Sequence, residues 1–237
     1  MWSFADGERL LRNKFMTAFN PMNIGSPAKW GIKSQKHIDI GCGAKPRNPF
    51  GAGYVIGADL LTESFLPQGL MDQYLQLKIG EPIPLPDTSV DSISGYDFLE
   101  HLSRDFYPFG NLFISFMNEA HRILKPGGML FCVTPAYPSP AAFQDPTHVN
   151  FISEETVNYF TGAAPHAKSL GYGFEGSFSL VYQGWVGPFS NIFLDNSESS
   201  VVNTSRAIMS ISKLRSIIST YRKPTHLVWL LQKTSVS

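Results

Sequence analysis

The chain has 237 residues, 43% of them hydrophobic, which suffices for one sizeable core. A formal net charge of +0 and a pI near 7.0 exclude a molecule drawn as a whole to nucleic acid or anionic lipid, and they favour a small, weakly charged partner. Cys42 and Cys132 lack the spacing of a zinc site or disulfide framework, and no run approaches the roughly 20 apolar residues that span a bilayer, so a reducing, cytoplasmic setting is expected.

In chain order, Leu10, Leu11, Phe15, Met16 and Phe19 recur at helical spacing and predict a short amphipathic helix within an N-terminal segment, residues 1–35. His37 to Ile40 reads as a buried strand that stops at Gly41-Cys42-Gly43, and Tyr54 to Asp59 as a second strand ending on an acid. Between them Pro46, Pro49, Gly51 and Gly53 leave room only for a short or broken helix. A third strand is expected around Met71 to Leu77, then a proline-rich loop from Glu81 to Asp87, then a strand from Val90 to Ser94. Phe109, Leu112, Phe113, Phe116, Met117, Ala120, Ile123 and Leu124 line one face of a helix. Lys125-Pro126-Gly127-Gly128 ends it, the lysine suiting its negative end and glycine permitting a reversal into a strand from Met129 to Thr134. Beyond Pro135, Ser153 is placed to cap a helix through Phe160, and aromatic-rich strand material runs from Tyr172 to Val186. A serine-rich stretch near Asn196 to Ser205 precedes a helix carrying Ile208, Ile211, Leu214, Ile217 and Ile218, and His226 to Leu231 closes the chain as a strand. Strands alternating with helices predict a doubly wound α/β fold with a mostly parallel sheet and helices on both faces.

In such a sheet, ligands sit above the carboxyl ends of the strands. Gly41-Cys42-Gly43 occupies such an end, where glycine lets the backbone approach a ligand closely. Asp39 is suited either to fix the loop or to accept a hydrogen bond from a ligand ammonium, and Asp59 to accept both hydroxyls of a ribose. A dinucleotide fold wants a small third residue in its glycine loop so that pyrophosphate reaches a helix N-terminus. Here that position holds Pro46, which favours a cationic nucleoside cofactor such as S-adenosylmethionine, drawn to carboxylates.

Several segments together resemble the class I, Rossmann-like methyltransferases, of the type 11-like group. Ile38 to Pro46 resembles their first motif and Gly57-Ala58-Asp59-Leu60 their second strand end; Pro84 to Ile93 is similar to the approach to their fourth strand. Leu99-Glu100-His101-Leu102 and His121 to Gly128 are similar to the segments that follow it, so that the match runs over about residues 36 to 135. The resemblance implies one methyltransferase domain, residues 36–237, whose cofactor half is 36–135 and whose acceptor-shaping half is 136–237, with seven strands and the last inserted antiparallel. It also implies S-adenosylmethionine as cofactor, bound by Asp39, Gly41, Cys42, Gly43, Asp59 and Leu60, with Ile79 near the adenine and Tyr96 near the methyl group. Two positions depart from the family pattern: Lys45 replaces the third glycine, and Lys78-Ile79-Gly80 lacks the usual acid.

Methyl transfer needs alignment of an activated methyl with a nucleophile, and an oxygen or nitrogen acceptor also needs a proton removed. Asp97, just past the fourth strand, and His148, within Gln144-Asp145-Pro146-Thr147-His148, are the candidate catalytic residues. Asp97, Glu100, His101 and His148 offer a mixed oxygen and nitrogen set, but their spacing is not diagnostic and no metal is expected. Trp185, Phe174, Phe178 and Phe189 are candidates for an apolar or sugar-stacking wall, against the simpler reading as core. The expectation is a methyltransferase acting on oxygen of a small-molecule acceptor, with a saccharide or glycan precursor as the guess within that class. The alternatives are a catalytically silent cofactor-binding scaffold and an RNA methyltransferase, the latter disfavoured by the neutral charge despite Lys213, Arg215, Arg222 and Lys223. Oligomeric state stays open.

Overall fold

The structure, a computed structural model, describes residues 27–62, 69–104, 110–187 and 224–234. The expected N-terminal helix at Leu10 to Phe19, the serine-rich stretch, the helix carrying Ile208 to Ile218 with its basic residues, and Phe189 lie outside them. Seven strands form one mixed sheet: β1 (Lys36–Ile40), β2 (Tyr54–Asp59), β3 (Gln73–Gln76), β4 (Val90–Tyr96), β5 (Leu124–Pro135), β6 (Phe178–Val186) and β7 (His226–Lys233). Their order is β3-β2-β1-β4-β5-β7-β6. The pairings among β1 to β5 are parallel, while β7 runs antiparallel to both its neighbours, as expected for the last strand.

Period-two alternation sorts the central strands between two cores. Leu130 and Cys132 of β5, with Leu227, Trp229 and Leu231 of β7, enter the larger cluster, where they meet Phe116, Met117 and Ala120 of helix α1 (Leu112–Ile123). Their alternates Phe131, Val133, Val228 and Leu230 face the smaller cluster on the other side. Helices on both faces are not what the described residues show. The second core is closed by Tyr96 and Phe50, with Ile32 against it, and Phe50 comes from an irregular segment, not a helix. Apart from α1, the described α-helix is a single turn, α2 (His166–Ser169).

That irregular segment, residues 41–53, is where proline overrides the helix. Pro46 packs onto Gly57 of β2, whose imagined Cβ would lie 3.0 Å from the Pro46 Cγ, so β2 needs glycine there. Asn48 then closes a turn by donating from Nδ2 to the Ala52 carbonyl at 2.9 Å and accepting the Ala52 amide at 2.8 Å.

Several boundaries differ from the sequence reading for local reasons. Helix α1 starts at Leu112, where Asn111 Oδ1 accepts the amides of Phe113 and Ile114 at 3.0 and 3.2 Å as an N-cap. It passes straight into β5 at Leu124. Lys125 does not serve the helix end: its ammonium donates to Asp91 Oδ1 at 2.7 Å, and Lys233 takes the Leu124 carbonyl at 2.8 Å instead. The third strand is only Gln73–Gln76, and β6 begins at Phe178 because Gly171 and Gly173, at φ of 71° and 84°, turn the chain before it. The helix after Ser153 is a tight 3-10 helix, Glu154–Tyr159, opened by the Ser153 amide donating to Thr156 Oγ1 at 2.9 Å.

Candidate active site

Because Ile40 pairs with Gly95, the turns after β1 and β4 open side by side at the carboxyl end of the sheet. Gly41 and Gly43 sit at φ of 69° and 57°, left-handed backbone that glycine adopts without strain. The Gly41 and Cys42 amides both donate to the Ala58 carbonyl, at 2.8 and 3.2 Å, which pins the turn to β2. A Cβ on Gly41 would lie 2.8 Å from the Phe98 ring, whereas one on Gly43 would meet nothing within 4 Å. The turn is thus packed underneath and open above.

Asp39 is 1% exposed, and both its carboxylate oxygens meet protein groups. Oδ2 accepts the Arg47 amide at 2.8 Å and Oδ1 accepts the Ser94 hydroxyl at 2.5 Å. With the Ser94 hydrogen used there, His37 Nε2, 2.9 Å away, donates to Ser94, and Nδ1 accepts from Ser92 at 2.7 Å. Burial pushes the His37 imidazole down to about 3, so it stays neutral in this relay. Asp59 is more open: Oδ2 accepts the Gly43 amide at 2.8 Å and Oδ1 the Leu61 amide at 3.2 Å, and each oxygen keeps a further lone pair. Leu60 beside it is 67% exposed.

The other expected cofactor residues divide. Cys42 is buried and its thiol is pushed up to about 12, by burial and then by Asp39 and Asp59, so it is an unreactive packing group. Ile79 packs partly buried against the main core in a short bridge with Glu81. Tyr96 is 3% exposed, edge-on to Phe131 and with the Arg47 guanidinium 4.4 Å from its ring centre; its visible role is to seat that cation.

Past Tyr96, Asp97 takes a left-handed φ of 48°, unusual for a residue with a side chain, and its amide donates to the Val133 carbonyl at 2.9 Å. Its carboxylate Oδ1 lies 3.1 Å from His226 Nε2, while His226 Nδ1 faces the Thr225 hydroxyl at 2.7 Å. The sequence reading missed His226, which was only the start of a strand; the register Pro135↔His226 is what carries it across the end of β5.

The Asp145 to His148 loop folds onto the short 3-10 helix Leu99–His101. The Val149 and Asn150 amides donate to the Glu100 carbonyl, and the Asn150 side chain caps Leu99 and Leu102 at 2.9 and 2.6 Å. His148 therefore meets His101, ring centres 4.8 Å apart. Buried beneath them, Glu100 accepts the Thr134 hydroxyl at 2.9 Å on Oε2, and burial pushes its carboxyl up to about 7 despite that bond. The structure thus brings Asp97 to His226 and His148 to His101 and Glu100. Among the aromatics, Phe174 and Phe178 are core at 1% and 0% exposure, and Trp185 Nε1 donates to Glu154. The exposed aromatic surface near this loop is Tyr137, Phe143 and Phe151, with the Phe143 ring in contact with each of the other two.

A glycine turn and strand-end acids over a sheet of this order are the layout of the class I methyltransferase fold, whose cofactor is S-adenosylmethionine. Residues 38–132 match the family model described as a methyltransferase domain, and with that domain the chain is an S-adenosylmethionine-dependent methyltransferase. Comparison with curated proteins gives no significant sequence match. A SAM dependent methyltransferase from Archaeoglobus fulgidus is similar in fold, with a TM-score of 0.52 at 17% identity, covering 87% of this chain and 90% of that one. The 1,6-didemethyltoxoflavin-N1-methyltransferase of Burkholderia thailandensis has a TM-score of 0.52 at 13% identity, covering 99% of this chain and 92% of that one. The cyclase SpnF has a TM-score of 0.50 at 15% identity over 86% of this chain and 76% of its own, so likeness of fold carries no reaction with it. Among the described residues no helix is long and apolar enough to cross a membrane.

Proposed function

We propose that the protein methylates an oxygen of a small-molecule acceptor held at the carboxyl end of the sheet. The observation that carries this is the Asp97 carboxylate, half exposed, aimed by His226 at 3.1 Å, beside the glycine turn. When bound, S-adenosylmethionine supplies a methyl group activated by its positive sulfonium. The residues present fit it: open space above Gly43, and in Asp59 a carboxylate with lone pairs left for ribose hydroxyls. We assign Gly41, Gly43, Asp59 and Leu60 to direct contact with the cofactor, Ile79 to the adenine side, and Asp39, Cys42 and Tyr96 to holding the turn and Arg47 from below.

In this reading Asp97 accepts the proton of the acceptor hydroxyl, and the His226 N–H keeps the carboxylate in place. The ring can hold this position by donating from Nε2 to Asp97 while Nδ1 meets the Thr225 hydroxyl. The Asp145 to Phe151 loop forms the acceptor side, with Tyr137, Phe143 and Phe151 as an apolar rim on which a flat ring or sugar face can lie. A saccharide acceptor fits such a rim, and residues 36–237 are read as one methyltransferase domain. A panel of hydroxyl-bearing and amine-bearing acceptors, read by methyl incorporation, tests the proposal: turnover confined to amines would refute oxygen as the target, and a loss of no more than twofold in Asp97→Asn would refute the base.

A further inference from the structure

We propose that Glu100, His101 and His148 form a binding site for one divalent transition-metal ion, against the expectation from spacing alone. One ligand atom from each lies within 4.8 Å of the others, with His101 Nε2 3.9 Å from Glu100 Oε1. Three separate features point the lone pairs of these groups at a common place.

The first is Glu100 itself. The residue is 0% exposed, Oε2 is satisfied by Thr134, and Oε1 has no hydrogen-bond partner. A buried carboxylate oxygen left bare costs free energy unless something positive meets it. His101 Nε2 is 3.9 Å from that oxygen, and His148 has a ring nitrogen within 4.8 Å of the ligand atoms of Glu100 and His101.

The second is the tautomer of His101. Thr147 Oγ1 donates to Asp145 Oδ1 at 2.6 Å, which uses its only hydrogen. His101 Nδ1, 3.0 Å from that hydroxyl oxygen, is then the donor, and Nε2 carries the lone pair toward Glu100. Asp145, Thr147 and His101 make a carboxylate-to-hydroxyl-to-imidazole chain of the kind that orients a metal-bound histidine. The third is His148, whose Nδ1 lies 3.2 Å from the Ala142 carbonyl; the proton sits on Nδ1 and the lone pair on Nε2. With Nδ1 of each ring engaged by the protein, Nε2 is the nitrogen that each imidazole has left for an ion.

Two imidazoles and one carboxylate suit zinc, manganese or cobalt in the divalent state better than magnesium or calcium, which prefer oxygen alone. Bond lengths of about 2.0–2.2 Å ask the rings to close by roughly 1 Å, which the exposed His101 and half-buried His148 can do by rotation. Three protein ligands leave coordination positions open to water or to an oxygen of a bound molecule.

Chelator-treated protein titrated with cobalt(II) or zinc(II) alone, without cofactor or acceptor, tests this separately from methyl transfer. The expected result is one equivalent bound, with cobalt absorption bands of nitrogen and oxygen ligation. His148→Ala and His101→Ala, at positions open enough for the fold to persist, should each weaken binding by about 100-fold, and Thr147→Ala by about tenfold through its hold on His101. Circular dichroism of the metal-free variants checks that they are folded. Absence of saturable binding by the native protein, or affinity equal to native in both folded histidine variants, would overturn the site.

Discussion

The imidazole of His226 and the carboxylate of Asp97 meet at 3.1 Å across the end of β5, joining the first residue of the last strand to the first residue after the fourth. Asp97 holds an unfavourable left-handed φ of 48° to be there. Backbone strain of this kind collects at functional sites, in keeping with the role proposed for Asp97.

Asp97→Asn keeps the shape and removes the base. It should lower kcat by about 10²- to 10⁴-fold with cofactor affinity within a factor of two, because general-base catalysis contributes on that scale. His226→Gln retains a donor and should cost much less, about tenfold. Steady-state kinetics beside calorimetric titration of the cofactor separates the two effects; a shared loss of cofactor affinity would show instead that the pair only holds the fold.

The two glycines of the turn should fail differently. Alanine at Gly41 meets the Phe98 ring at 2.8 Å in addition to left-handed strain of about 1–2 kcal/mol, so it should lower the melting temperature as well as cofactor affinity. Alanine at Gly43 points into open space, and its loss should fall mainly on cofactor affinity. Equal effects of the two on melting would argue against an open upper side.

Asp59→Asn removes the charge that receives the Gly43 amide and, in this account, the ribose. A hydrogen bond to a charged group contributes about 1.5–3 kcal/mol, so affinity for S-adenosylmethionine should fall by roughly 10- to 100-fold. Isothermal titration is the readout, and unchanged affinity would move the ribose elsewhere.

His37 gives a pH signature. Its folded value is about 3 and its ordinary value 6.5, so between them the unfolded chain binds the extra proton and stability is lost as pH falls. The slope is about 1.4 kcal/mol per pH unit at its steepest. Because the raised Glu100 carboxyl titrates over the same range with the opposite sign, the readout is a difference: by chemical denaturation between pH 6.5 and 5, the stability of the native protein relative to His37→Asn should fall with this slope as pH falls. Identical slopes would mean that the imidazole is not held neutral.

What the sequence made legible was the part whose physics is local. Alternation and the glycine stop placed β1 and β2, and Pro46, Pro49, Gly51 and Gly53 foretold that any helix between them would be short or broken. Asp39 was readable only as one of two possibilities, and the choice fell to Ser94 and the Arg47 amide, one from another strand and one from the turn itself. His226 and the union of His101 with His148 depend on strand register and loop packing between distant segments, which no spacing along the chain encodes. Phe174 and Phe178 show the converse: aromatic clustering in sequence marked a core, while the exposed ring surface came from three scattered residues.

The central claim is a sulfonium nucleoside bound over the Gly41 to Gly43 turn and held by Asp59. Calorimetry of the native protein with S-adenosylmethionine, and separately with NAD, addresses it most directly. The account predicts one equivalent of S-adenosylmethionine bound, weakened in Asp59→Asn and Gly43→Ala, and no binding of NAD; binding of NAD with none of S-adenosylmethionine would contradict it.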